Sequence, residues 1–164
     1  MSIVLNGTTG ITTPAIDSVA PFSSADMPAG SVLQVVSQGF STAISKTDAT
    51  QAATGITATI TPTSATSKIL VLLSTEVAKF GGNTYVRLWF VRNGTTLTRI
   101  MGQGAYTGDT ASNSIHVGAS YLDSPSTTSA VTYTVDWSNP PATGTIELNV
   151  SASVSNITLM EIAA

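Results

Sequence analysis

Tyr-Val-Arg-Leu-Trp-Phe-Val-Arg-Asn-Gly-Thr-Thr-Leu-Thr-Arg-Ile-Met, running from Tyr85 to Met101, is two β-rich runs that meet at Asn93-Gly94. Asn-Gly suits a type I′ hairpin turn, because both central residues need positive φ. Side chains alternate across a strand. Val86, Leu88 and Phe90 therefore share one face, and Tyr85, Arg87, Trp89 and Val91 share the other. The first face suits a sheet core. The second mixes Trp89 with cations, too apolar for open solvent and too charged for an interior. Either loops of the same chain cap it, or it meets a partner surface, with another copy of the chain as the expected partner.

The same texture repeats along the rest of the chain. Val32 to Val36 reads as a buried strand, and Thr54 to Thr61 alternates Ile56, Ala58 and Ile60 with threonines. Lys68 to Leu73 is apolar on both faces, as expected of a strand covered on both sides within an oligomer. His116 to Leu122, Ala130 to Trp137, Thr145 to Ser151 and Asn156 to Ile162 complete about eight strands. Val131, Tyr133, Val135 and Trp137 share one face of their strand. Gln38 to Ala53 reads as a loop with one weak strand. Short strands at regular spacing, with no helical periodicity, predict an all-β antiparallel sandwich of jelly-roll type over residues 31–164.

Residues 1–30 read differently. Ile3-Val4-Leu5 and Ile11 are short apolar pieces, followed by Pro14, Pro21, Pro28 and Gly30. Prolines at that spacing break helices and limit sheet pairing, which predicts an extended arm that orders against a neighbour. Ile3, Val4, Leu5 and Ile11 are its expected attachment residues.

Composition narrows function. The 164 residues are 42% hydrophobic but 9% charged, against about 25% in ordinary soluble domains. Their 27 Thr and 21 Ser supply the polarity that charges normally would. So little charge protects a monomer poorly from association, and permanent assembly resolves the problem. A net charge of −3 with six basic residues argues against a nucleic-acid binder. No run approaches the roughly 20 apolar residues that span a bilayer, so no membrane partner is expected. Cysteine is absent, leaving stability to packing and oligomerisation.

No catalytic constellation stands out. His116 is the single histidine, without a carboxylate close in sequence, and Asp109, Asp123 and Asp136 match no calcium-loop spacing. No catalytic residue, cofactor or metal is expected. Aromatic anchors remain, because rigid aromatics dominate interface energetics. Tyr85, Arg87, Trp89, Tyr133 and Trp137 are expected at a homotrimer interface, and Tyr106 in a loop facing a receptor. Arg87, Arg92 and Arg99 have Glu76, Glu147 and Asp136 as expected partners, or stay solvated.

Several passages resemble one family. Leu5-Asn6-Gly7-Thr8-Thr9-Gly10-Ile11 is similar to the start of many tailed-bacteriophage structural and fibre proteins. Thr54-Gly55-Ile56 through Ile60-Thr61-Pro62-Thr63-Ser64-Ala65-Thr66-Ser67-Lys68-Ile69-Leu70-Val71, Tyr121-Leu122-Asp123-Ser124-Pro125 and Ile157-Thr158-Leu159-Met160-Glu161-Ile162 resemble the distal domain of phage tail-fibre-like and capsid-decorating proteins. The likeness covers nearly the whole chain after residue 30. It implies a trimeric component of the outer virion surface, with a jelly roll like that of tumour necrosis factor. Its implied partners are copies of itself, the major capsid protein or another virion protein through the arm, and alternatively a host surface glycan. No coiled coil, triple β-helix repeat or second domain is visible, which favours a capsid-decorating trimer or a short head or tail fibre over a long host-reaching one.

Overall fold

The computed structural model describes residues 27–164. Ten strands follow one another: β1 (Val32–Phe40), β2 (Ile44–Lys46), β3 (Ala52–Ile60), β4 (Lys68–Phe80), β5 (Val86–Arg92), β6 (Thr95–Gly104), β7 (Asn113–Asp123), β8 (Val131–Ser138), β9 (Thr145–Leu148) and β10 (Ser155–Ile162). A short 3-10 turn at Val150–Ala152 is the helical element among the described residues. The arm residues Ile3, Val4, Leu5 and Ile11 lie outside them.

The strands form two antiparallel sheets. Sheet one is built on the 13-residue β4. β7 pairs along one side of β4 from Ile69 to Lys79, while β10 and β9 lie end to end along the other, at Lys68–Ser74 and Val77–Phe80. β1 extends β10 outward and β2 extends β9. Sheet two has the order β3-β8-β5-β6. With β2 and β9 as end-to-end continuations, the orders β1-β10-β4-β7 and β3-β8-β5-β6 are the double wrap of a jelly roll. The expected all-β sandwich is the observed one.

The hairpin of β5 and β6 lies in sheet two. Asn93 and Gly94 take φ of 46° and 81°, as the type I′ turn requires. Asn93 also ties the turn to β8, since its N–H donates to the Thr132 carbonyl and its Oδ1 accepts from the Thr132 N–H, both at 2.9 Å. Val86, Leu88 and Phe90 are fully buried, as the alternation predicts.

The core between the sheets is aliphatic. Ile56 and Ile60 from β3, Ile69, Val71 and Val77 from β4, Val131 and Val135 from β8, and Ile157 and Leu159 from β10 all bury completely or nearly so. Each such side chain contributes about 1.5–3 kcal/mol of hydrophobic stabilisation. The strand expected at 68–73 continues to Phe80, and Thr75 keeps the inward alternation with its hydroxyl 2.6 Å from that of Ser155. The loop expected at 38–53 shrinks at both ends, β1 reaching Phe40 and β3 starting at Ala52, and its one weak strand is β2, which pairs with β9.

Glycine is required where the loops at one end of the sandwich interlock. Gly82 has φ of 60°, and a Cβ there would overlap the Thr143 carbonyl. The same turn is tied down by the buried Lys79, which donates to the Asp109 carbonyl at 2.7 Å and the Gly82 carbonyl at 3.4 Å. Because the overlap is with backbone, Gly82→Ala is expected to cost about 2 kcal/mol or more. Urea unfolding at fixed protein concentration checks this. A midpoint unchanged from wild type would show that the turn relaxes freely.

Candidate assembly surfaces

The sandwich has two outward faces, and they differ in kind. On sheet two, Thr57 and Thr59 of β3 stand in register with Thr134 and Thr132 of β8. The Thr59 and Thr132 hydroxyls bond to each other at 2.8 Å, and Thr57 donates to the Tyr133 carbonyl at 3.1 Å. Further along, Trp89 lies between Arg99 of β6 and Asp136 of β8 in the strand register. Gln51 donates to Asp136 and to the Thr96 hydroxyl, each at 3.0 Å, closing that end. Trp89 is half-buried within its own chain.

Beside this face sits an aromatic cluster. Tyr85 and Tyr106 meet edge to face with ring centroids 6.0 Å apart. The Arg87 guanidinium lies 5.4 Å from the Tyr85 ring centre, and donates to the Tyr85 hydroxyl at 3.1 Å and to the Gly102 carbonyl at 3.3 Å. Tyr106 is 45% exposed. The fold thus brings together Tyr85, Arg87 and Tyr106, which the sequence assigned to two different roles.

Tyr133 and Trp137 require a correction. Both point into the core, Tyr133 fully buried and Trp137 3% exposed, so neither can reach a neighbouring subunit. The alternation of β8 is as expected; its aromatic face is the inner one. The Tyr133 hydroxyl crosses between the sheets and donates to the Asp123 carboxylate of β7 at 2.7 Å. Burial, and then the bond to Asp123, push the Tyr133 phenol far above its ordinary value. Arg92 donates to the same carboxylate oxygen at 2.7 Å. The partner of Arg92 is therefore Asp123, not Glu76, Glu147 or Asp136.

A second buried carboxylate lies in the same inward row. Gln34, Glu161, Ile69 and Asp123 are successive register partners across β1, β10, β4 and β7. Glu161 accepts from Gln34 Nε2 at 2.6 Å, the Thr63 N–H at 2.7 Å and the Thr63 hydroxyl at 2.8 Å. Burial pushes its carboxyl up, but the hydrogen bonds from Gln34 and Thr63 help to hold it below the ordinary glutamate value.

The outward face of sheet one is where apolar side chains remain uncovered. Val35, Met160, Leu70 and Leu122 form one lateral row across all four strands. Val35 is 54% exposed and Leu122 51%, with Val32 exposed nearby on β1. The next two outward rows are Ser37, Thr158, Leu72, Ser120 and Gly39, Asn156, Ser74, Gly118. No ionisable side chain occurs in these three rows. Lys68 lies beyond one end, and Glu76 with its register partner His116 beyond the other. Residues 28–31 reach the apolar end, where Gly30 donates to the Ala163 carbonyl at 2.8 Å and Ser31 accepts from the Ala163 N–H at 2.9 Å.

Chemical sites are sparse among the described residues. His116 Nε2 lies 3.0 Å from the Ser74 hydroxyl, and no ion pair forms to the imidazole. Among the described residues, no group of three or more His, Asp or Glu is placed to hold a metal ion, and no helix is long and apolar enough to cross a membrane. An open cleft of about 480 Å³ between β2 and β3 is lined by Ile44, Lys46, Asp48 and Trp137 among others. Its carboxylate is already occupied: Asp48 accepts from Lys46 at 2.8 Å, a bond that leads the causes holding it well below the usual carboxylate range.

No family model matches the chain. No curated protein matches it either. Among solved structures, the chain is similar to the infectious bursal disease virus VP2 subviral particle, at 10% identity and a TM-score of 0.36, over 82% of this chain and 38% of that one. A structure of the infectious bursal disease virus Gx strain is similar at 11% identity and a TM-score of 0.30, over 79% of this chain and 40% of that one. The chain therefore spans about two fifths of the length of the viral chains it resembles.

Proposed function

We propose that the chain is a non-enzymatic structural protein of a bacteriophage virion. It acts as a homotrimer on the outer surface, as a capsid-decorating cement protein or a short head or tail fibre. The observation that carries this reading is the uncharged apolar row of Val35, Met160, Leu70 and Leu122 on a charge-poor jelly roll, with Val35 and Leu122 exposed and Met160 and Leu70 half-buried. Such a surface serves standing contact between proteins rather than turnover of a substrate. The resemblance of Leu5–Ile11, Thr54–Val71 and Ile157–Ile162 to phage structural proteins supports a virion as the setting. Residues 1–30, with Ile3, Val4, Leu5 and Ile11, attach the trimer to the major capsid protein or another virion protein, adding apolar and strand-type contacts across neighbouring subunits.

Deleting residues 1–30 tests the attachment. The full chain is expected to co-sediment with virions lacking their own copy, and the truncated chain to stay in the supernatant. Binding of the truncated chain at wild-type level would contradict the anchoring role.

A receptor-binding knob is the second reading, favoured by the Tyr85, Arg87 and Tyr106 cluster. Half-exposed aromatic rings beside a guanidinium can stack on and hydrogen-bond a host glycan. Tyr106→Ala would then abolish adsorption to host cells, whereas a decorating protein leaves adsorption unchanged.

A further inference from the structure

Deepening and resting on the self-assembly reading above, we propose that copies of this chain pack on one another through the outward face of sheet one, with Val35, Met160, Leu70 and Leu122 at its centre. Three observations select a second copy as the occupant. The first is charge. Three consecutive outward rows, from Val35 to Gly118, carry no ionisable group, so a charged partner would have to bury its own charges without counter-ions. The same neutral face on another copy meets that condition.

Shape is the second. Beside the apolar row, Ser37, Gly39, Ser74, Gly118 and Ser120 surround Leu72, Thr158 and Asn156, and these small residues let another copy approach closely. The third is area. With strands about 4.8 Å apart and about 3.3 Å of rise per residue, the face from Lys68 to Glu76 covers roughly 500 Å². Across the trimer the three faces together cover roughly 1,500 Å², comparable with the total area of a standard specific interface.

By contrast, Trp89 on sheet two is already half-covered by its own chain, and the Arg87 donors are satisfied by Tyr85 and Gly102. A partner there would gain less apolar burial than one on sheet one.

Light scattering on the eluted full-length chain tests the assignment. Leu122→Glu and Val35→Glu replace side chains that are about half exposed, so neither needs to disturb the core. Thr59→Glu places the same charge on the exposed face of sheet two. Wild type and Thr59→Glu are expected to elute at a multi-chain mass, and both sheet-one variants at the mass of one chain with an unchanged circular-dichroism spectrum. Should the sheet-one variants keep the wild-type mass, or Thr59→Glu alone lose it, the assignment of the face is overturned while self-assembly stands. A wild type that is monomeric throughout would overturn self-assembly itself, and the assignment with it. Should Leu122→Glu fail to fold, Val35→Glu decides the question.

Discussion

Asp123→Ala is expected to lower the unfolding free energy by about 3–4 kcal/mol, near the lower end for breaking a buried ion pair because Arg92 keeps some access to water. The substitution strands two groups at once. The Tyr133 hydroxyl, on a fully buried ring, loses its acceptor, and Arg92 loses its counter-ion. Tyr133 and Arg92 belong to sheet two and Asp123 to sheet one, so the carboxylate joins the two halves of the sandwich. Tyr133→Phe alone removes a single hydrogen bond and should cost about 1 kcal/mol. The double variant should cost less than the sum of the two, because both changes remove the same bond. Urea unfolding at fixed protein concentration measures each. An Asp123→Ala variant within about 0.5 kcal/mol of wild type, the range of ordinary surface changes, would mean that the pair contributes nothing.

Glu161→Gln should cost about 3 kcal/mol at neutral pH. Hydrogen bonds to a charged group contribute about 1.5–3 kcal/mol each, and Glu161 accepts three, although the Thr63 donors can turn to water when released. Glutamine cannot replace this acceptor set, because its amide group would face donors from Gln34 or Thr63. A pH dependence follows from the lowered carboxyl of Glu161. The folded state holds the charged form more tightly than the unfolded chain does, so its contribution is complete above the ordinary glutamate value of 4.5 and is lost as pH falls through the lower folded value. Wild-type stability should therefore drop below about pH 4.5, with a shallower slope in Glu161→Gln. Parallel pH profiles would show instead that other carboxylates carry the acid sensitivity.

How much of this is legible in the sequence depends on the range of the interactions. The Asn93-Gly94 hairpin is readable because its signal is local, with both turn residues adjacent and the alternation of Val86, Leu88 and Phe90 immediately before them. The inner face of β8 is readable for the same reason. Which side of that face points to a neighbour is not, and Tyr133 and Trp137 fall on the wrong side. An aromatic with a polar tip fits an interface or a core equally well until its partner is known, and Asp123 lies on the facing sheet. The pairing of Arg92 with Asp123 is hidden likewise, because the charges are joined by folding rather than by spacing.

The apolar row of sheet one is half visible. Lys68 to Leu73 is apolar on both faces, which already asks for a cover on each side. The row itself needs Val35, Met160 and Leu122 brought beside Leu70, and strand order alone does that. Glu161 leaves one usable sign: a carboxylate at an inward position of an alternating strand, Ser155, Ile157, Leu159, Glu161, must be buried and hydrogen-bonded if the alternation holds.

Sedimentation equilibrium of the full-length chain across the micromolar range tests most directly whether this is a protein built to assemble with itself. A mass of three chains, constant over that range, is the predicted result; a mass of one chain at every concentration would contradict it.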